Sequence, residues 1–412
     1  LTSPFISTTI RIDYLLSIVT DRETDMRHRR PARLQEIAGI GVDRMGSIAD
    51  HAGRDVLRLE NLDTDIPPHA DALARTRAAA SEDAANSYLP FVGQDRLRAS
   101  VAAHVTVQTG VNYRADNVIV SAGGLSGILN VLLAVLEVGD EVILTDPTYA
   151  GLLNRVRLAG GSPVQIPFSF HPGAEWKLDR EAMAAACGPK TRAMLLMSPS
   201  MPSGAVLDEE DWVFVAGLCV QHDLLLIVDS AMERLLFDGR EVVHPARLPG
   251  MAERTITVGS ASKELRMIGW RVGWIVAPDA LIPDLVAVSL ANVVVPVGIA
   301  QEAAAIALER STIDLPDYVA ELQRRRDAIA AELHGLPFGM PAGGWSMLLR
   351  VSDFGLTGEQ MSERLLELDV CATAMTGWGR QHGGAYIRFV FANEPVNRYA
   401  GFGKKVIEAF GM

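Results

Sequence analysis

Ser260-Ala261-Ser262-Lys263-Glu264-Leu265-Arg266-Met267-Ile268-Gly269-Trp270-Arg271-Val272-Gly273 follows directly on the apolar run Thr255-Ile256-Thr257-Val258-Gly259. A short uncharged run of this kind suits a strand buried on both faces, which sets the polar stretch at the strand's C-terminal edge. A lysine there is desolvated, which lowers its pKa and frees a neutral amine to attack a carbonyl. Ser260, Ser262 and Arg271 add two hydroxyls and a forked cation, the donors a phosphate needs. Alone, Ser-x-Ser-Lys most often marks a polar turn carrying a surface lysine. With Gly269, Arg271 and Gly273 behind it, the stretch reads as a site for a phosphorylated aldehyde held by Lys263.

Outward from this stretch, the chain alternates strand and helix patterns. Residues 118–121, 141–146, 193–197, 224–229 and 254–258 are short apolar runs with few charges, and helical patterns such as 128–136 and 209–222 lie between them. Alternation of this kind predicts an α/β fold with a mostly parallel, doubly wound sheet. Residues 300–310 and 318–333 read as long helices leading into a smaller C-terminal domain, and no internal repeat or low-complexity linker interrupts the pattern.

At 412 residues, with 49% hydrophobic content and 36 glycines, the chain is long enough for two domains around a substantial core. A net charge of -12 argues against a nucleic-acid surface. Cys187, Cys219 and Cys371 lie far apart among nine histidines, so neither a disulfide framework nor a metal site is expected, and a reducing, cytoplasmic setting is. Residues 5–19 are apolar but interrupted by Arg11 and Asp13, too short a run to span a bilayer, so no membrane association is expected. Met26 is the first methionine and opens a basic run; residues 1–25 read as an extension or a start-site artefact, with a partner-binding arm as the alternative.

The Ser-x-Ser-Lys and Gly-x-Arg-x-Gly elements resemble the lysine signature of the class I/II aminotransferases, pyridoxal-phosphate enzymes of fold type I. The resemblance covers about residues 33–412 and implies a large domain at 70–305 with a seven-stranded sheet. It also implies a smaller α+β domain made of 33–69 and 306–412, with 1–32 outside both. It implies that Lys263 forms the imine with pyridoxal 5′-phosphate, and that Ser260, Ser262 and Arg271 hold the phosphate. The glycine-rich turn 121–127 then supplies Gly124 and Leu125 as backbone donors and Ser126 as a side-chain donor, at a helix N-terminus that favours anions.

By the same resemblance, Tyr149 of Asp146-Pro147-Thr148-Tyr149 stacks on the cofactor ring, and Tyr88 within 86–98 reaches a neighbour's phosphate across a homodimer interface. Asp229, otherwise readable as a helix cap, pairs with the pyridinium nitrogen so that the ring can accept electrons. Arg388, a lone cation in the apolar run 385–391, needs an anionic partner, and the resemblance supplies the substrate α-carboxylate.

Two departures occur together. The family's Asn-Pro-(Thr/Ser)-Gly appears as Met201-Pro202-Ser203-Gly204, and its Asp-x-x-Tyr as Asp229-Ser230-Ala231-Met232. The family's asparagine and tyrosine donate to the phenolic oxygen of the cofactor, and a thioether cannot. Asn61, in the segment 59–67, stands where the family has a backbone contact to the substrate carboxylate. Trp345 and Trp378 lie in loops resembling those that close over the substrate, and read either as an apolar substrate pocket or as packing. Asn292 falls near a region that some relatives use for distal substrate groups.

The resemblance implies amino-group transfer from an amino acid to a 2-oxo acid. The alternative is a lyase, replacement or oxidase reaction on the same fold. A non-catalytic descendant is disfavoured by the intact set of Lys263, Asp229 and Arg388.

Overall fold

The computed structural model describes residues 31–37 and 39–412. Residues 1–25, read as an extension or a start-site artefact with a partner-binding arm as the alternative, lie outside the described residues. After β1 (Leu57–Arg58), one sheet takes the strands β2 (Val118–Ser121), β3 (Glu141–Asp146), β4 (Ser162–Ser169), β5 (Lys177–Leu178), β6 (Thr191–Met197), β7 (Leu225–Asp229), β8 (Thr255–Ser260) and β9 (Gly273–Val276). Their order across the sheet is β2-β9-β8-β7-β6-β3-β4-β5. Seven of these strands have four residues or more, as expected, and the two-residue β5 extends the edge to eight. β3, β4, β6, β7 and β8 are mutually parallel, while β9 runs antiparallel between β8 and β2.

Alternation along each strand sends successive side chains to opposite faces, and the core follows it. Val118 and Val120 pack with Leu97, Val101 and Ala304 on one side of the sheet. Ile119 packs with Ile128, Leu152 and Leu285 on the other. Helices therefore cover both faces, which is why these strands read as continuous apolar runs.

A second sheet is built from β10 (Phe338–Gly339), β11 (Ser346–Arg350), β13 (Thr373–Ala374) and β14 (Tyr386–Val390), all antiparallel, in the order β10-β11-β14-β13. β12 (Val370–Cys371) pairs in parallel with β1, joining the segment before the large sheet to this smaller unit.

The two helical patterns at 300–310 and 318–333 are one helix, Gly298–Glu332, with Pro316 inside it. A proline removes one helical hydrogen bond, so the sequence pattern breaks there. Leu315, Tyr318, Leu322 and Ile329 are buried through that region, and the burial carries the helix past the missing bond.

Candidate active site

β2, β3, β6, β7 and β8 end on the same side of the large sheet, at Ser121, Asp146, Met197, Asp229 and Ser260. An open cavity with about 880 Å³ of empty space lies there, in the position where open α/β sheets bind ligands. Of the residues singled out in the sequence, it brings together Gly124, Leu125, Tyr149, Met201, Asp229, Met232, Ser260, Ser262, Lys263 and Arg271. Leu62, Met197, Ala231 and Ile268 complete the wall.

Lys263 follows β8 by three residues. Its Nζ donates to the Leu62 carbonyl at 3.2 Å and lies 4.0 Å from the centroid of the Trp345 ring. Burial pulls its pKa down to about 7; Arg388 and Arg271 add to the effect, while Asp63 and Asp229 oppose it. A lysine so placed is substantially neutral at physiological pH, the state in which an amine is a nucleophile or a base.

Ser260, Ser262 and Arg271 gather beside the N-terminus of the helix Gly124–Val135. Arg271 has a φ of 55°, in the left-handed region that costs a non-glycine residue energy. This conformation turns its guanidinium back, so that Nη1 donates to the Ile268 carbonyl at 2.9 Å and to Ser262 Oγ at 3.4 Å. Gly123 has a φ of 90°, a conformation that side-chain-bearing residues rarely adopt, and a Cβ there would also crowd that guanidinium, so the turn before the helix favours glycine. Free N-H groups, two hydroxyls and a guanidinium form an anion cradle. Ser126 is not part of it. Two helical residues past Gly124 turn the side chain by about 200°, and Ser126 lines a separate crevice with Phe91, Asn130 and Val294.

Asp229 is buried at the end of β7, where its Oδ1 accepts from the Ala231 N-H at 3.1 Å. Burial raises its pKa to about 6, against the lowering by that N-H and by Lys263. A cationic partner in the cavity would restore its charge. Met201 and Met232 are buried in the cavity wall beside buried Met197 and partly buried Ala231. Ser346 Oγ lies 2.8 Å from the Pro202 carbonyl and 3.4 Å from Met201 Sδ, so its proton is taken by the carbonyl. None of the four wall side chains is a donor.

Arg388, on β14, is fully buried. Its Nη2 donates to the Glu60 carbonyl at 2.9 Å and to Thr373 Oγ1 at 3.2 Å, while Nε and Nη1 have no partner among the described residues. The Trp378 ring lies 4.6 Å from its Cζ, and burial lowers its pKa to about 10. A buried guanidinium with two nitrogens left unpartnered is set up to receive an anion. Trp378 also stands edge-on to Tyr149 at 5.1 Å.

Asn61 falls between Glu60 and Leu62, whose carbonyls bind Arg388 and Lys263 respectively. Tyr88 is 81% exposed and reaches no part of the cavity within this chain. Asn292 is held by Asn130 Oδ1 at 2.8 Å, away from the cavity lining. Asp146 is a functional residue the sequence does not single out: it is 1% exposed and binds backbone N-H groups of residues 381 and 382. Its signal was a carboxylate closing an otherwise apolar strand, overshadowed by the tyrosine three residues on.

The family model described as "Aminotransferase class I and II" matches residues 57–395. An aromatic-amino-acid aminotransferase 2 of Thermococcus litoralis is 32% identical over 338 residues, covering 80% of this chain and 85% of the relative. An arginine–pyruvate transaminase of Pseudomonas aeruginosa is 37% identical over 283 residues, covering 68% and 71%. Among solved structures, N-succinyldiaminopimelate aminotransferase from Mycobacterium tuberculosis superimposes with a TM-score of 0.83 at 28% identity, covering 93% of this chain and 98% of that one.

Proposed function

This chain belongs to the class I and II aminotransferases, and from that premise we propose that Lys263 is the residue that binds the cofactor and moves the proton during amino-group transfer from an amino acid to a 2-oxo acid. Enzymes of the family use pyridoxal 5′-phosphate, and the residues of the cavity fit it. The cradle of Ser260, Ser262, Arg271 and the Gly124–Leu125 N-H groups suits a phosphate, and the buried carboxylate of Asp229 suits a ring N-H. When bound, the cofactor supplies an electron sink for the pair left by a broken Cα–H bond.

The remaining work falls to the protein. Lys263 Nζ, neutral near pH 7, accepts the Cα proton and returns it. Asp229 keeps a proton on its partner nitrogen by pairing with it. Arg388 holds the substrate carboxylate through its unpartnered N-H groups, since Nε and Nη1 have no protein partner among the described residues. Tyr149, Trp345 and Trp378 give the surroundings of Lys263 and Arg388 an aromatic character, which supports an apolar or aromatic amino acid as donor. The observation that carries this reading is the meeting of a depressed-pKa lysine, a buried carboxylate and an anion cradle in one cavity.

A homodimer belongs to the same proposal. Tyr88 and Phe91 are exposed, and Phe91 shares a crevice with Val294, also partly exposed, as is Val297. Such an apolar surface favours a second copy, placing Tyr88 where it reaches the neighbour's phosphate cradle. Three unpaired cysteines support a reducing, cytoplasmic setting, and no helix among the described residues is long and apolar enough to cross a membrane.

The test is a single-turnover experiment with the holoenzyme and a panel of amino acids including L-phenylalanine, L-aspartate and L-arginine, reading conversion of the cofactor to its amino form. The parent should convert at least one of them, and Lys263→Ala none. Conversion by Lys263→Ala at the parent's rate would remove the assignment. Sedimentation velocity should give a dimer, and Tyr88→Phe should weaken cofactor affinity; a fully active monomer would refute the shared site.

A further inference from the structure

The loop between β13 and β14 is fastened to the large sheet at one carboxylate. Asp146, the last residue of β3, accepts the Gln381 N-H on Oδ2 at 2.6 Å and the His382 N-H on Oδ1 at 3.2 Å. Two further bonds secure the same loop: the Thr148 N-H donates to the Trp378 carbonyl at 2.8 Å, and His382 Nε2 lies 3.0 Å from the Phe168 carbonyl on β4. The fit is close, because a Cβ on Gly379 would collide with Asp146 Oδ1. Asp146 and His382 are both buried, so the bond between them is shielded from bulk water.

What the loop carries gives the fastening its purpose. Trp378 sits between the two halves of the site, its ring against the guanidinium of Arg388 on one side and the edge of Tyr149 on the other. Its Nε1 donates to the Ile40 carbonyl at 3.2 Å. Arg388 belongs to the small sheet, whereas Asp229 ends a strand of the large one and Lys263 follows another by three residues. The aim of the guanidinium relative to the lysine, held on one side by the Glu60 carbonyl and Thr373 Oγ1, therefore also depends on what locks the small sheet's loop to the large sheet's strand ends.

We propose that Asp146 is a positioning residue for the substrate: by clamping the loop 376–384 it fixes Trp378 against Arg388 and so holds the carboxylate-binding guanidinium in register with Lys263. This rests on the reading of Arg388 as the carboxylate holder. Asp146 touches neither substrate nor cofactor; it acts through Trp378.

Two substitutions separate the same contact from opposite sides. Asp146→Asn keeps the size but turns an amide donor toward one of the two backbone N-H groups, and Gly379→Ala pushes the loop away from an unaltered carboxylate. In each, KM for the reactive amino acid should rise on the order of tenfold, the effect of losing roughly one charge-assisted hydrogen bond. The limiting half-reaction rate and the affinity for pyridoxal 5′-phosphate should stay within about twofold, well inside that margin. Phenylglyoxal labelling mapped by mass spectrometry gives a readout that needs no turnover: Arg388, protected in the parent, should be modified severalfold faster in both variants.

Unchanged KM and unchanged labelling in both variants would overturn the proposal. So would a fall in cofactor affinity parallel to the rise in KM, since that marks general loosening. If the parent converts no amino acid at all, the functional reading fails by itself and the labelling alone judges the clamp.

Discussion

Raising the pH over the cofactor-free protein from 6 to 9.5 should titrate Lys263 in the middle of that range. An ordinary lysine with a pKa of 10.5 is only about 0.03% neutral at pH 7, whereas one lowered to about 7 is half neutral. Attack on an aldehyde requires the neutral amine, so capture of pyridoxal 5′-phosphate at pH 7 should be on the order of a thousandfold faster than by an ordinary lysine. The rate should climb about tenfold per pH unit below the midpoint and level off above about pH 8. Removal of one cation in Arg388→Met should move the midpoint upward, because Arg388 is one of the two positive charges that lower it. Stopped-flow absorbance of the imine band measures the rate, and borohydride trapping with peptide mapping assigns it to Lys263. Pyridoxal without its phosphate should give the same midpoint, which separates the lysine from titration of the phosphate. A rate that keeps rising tenfold per unit through pH 9.5 would refute the argument, since burial would then have failed to depress the amine.

In the holoenzyme, the pH at which the yellow, protonated form of the bound cofactor gives way should fall by about one to two units in Met201→Asn and in Met232→Tyr, each restoring one donor to an ionised oxygen. No downward shift at full cofactor occupancy would show the methionines to be packing only. Glu233 is buried beside Glu264, and burial raises its pKa to about 8 from an ordinary 4.5. The folded protein thus holds a proton that the unfolded chain releases: stability is fully present below about pH 4.5 and is lost progressively as pH rises to about 8. Glu233→Gln should flatten that decline and raise the melting temperature at pH 8.5 relative to the parent, while leaving it nearly unchanged at pH 5. Equal melting temperatures at both pH values would mean the carboxyl is not buried in its neutral form.

Much of the fold was legible because burial writes itself into composition. Strands covered on both faces must be apolar throughout, so β3, β6, β7 and β8 could be read directly, and the polar residues that end them, Asp229 and Ser260, marked the rim of the cavity. Lys263 and Arg271 were legible because their spacing is set by one local turn. Less legible were contacts between distant segments. The Leu62 carbonyl that receives Lys263 Nζ is 201 residues away, and nothing local in Leu62 announces it. Asp146 clamps backbone N-H groups, which no side-chain pattern encodes. Ser126 misled for a geometric reason: its proximity in sequence to the cradle is undone by the helical turn. The helix Gly298–Glu332 read as two because periodicity is interrupted at Pro316, while the packing that bridges the interruption comes from elsewhere.

That helix is also a mechanical part. Its first turns, with Ala300, Ala303 and Ala304, pack under the large sheet, while Leu322 and Ile329 belong to the core shared with Leu348, Leu349 and Phe389 of the small one. At Pro316 the Thr312 carbonyl lacks its helical donor, so the rod is softest where it passes from one body to the other. Sixteen residues lie beyond that point, an arm of about 24 Å at 1.5 Å per residue. A flexure of about 10° there sweeps the far end through about 4 Å, comparable to a side chain's reach. With that bond missing, the packing of Leu315 and Tyr318 is what carries the rod across from one sheet to the other.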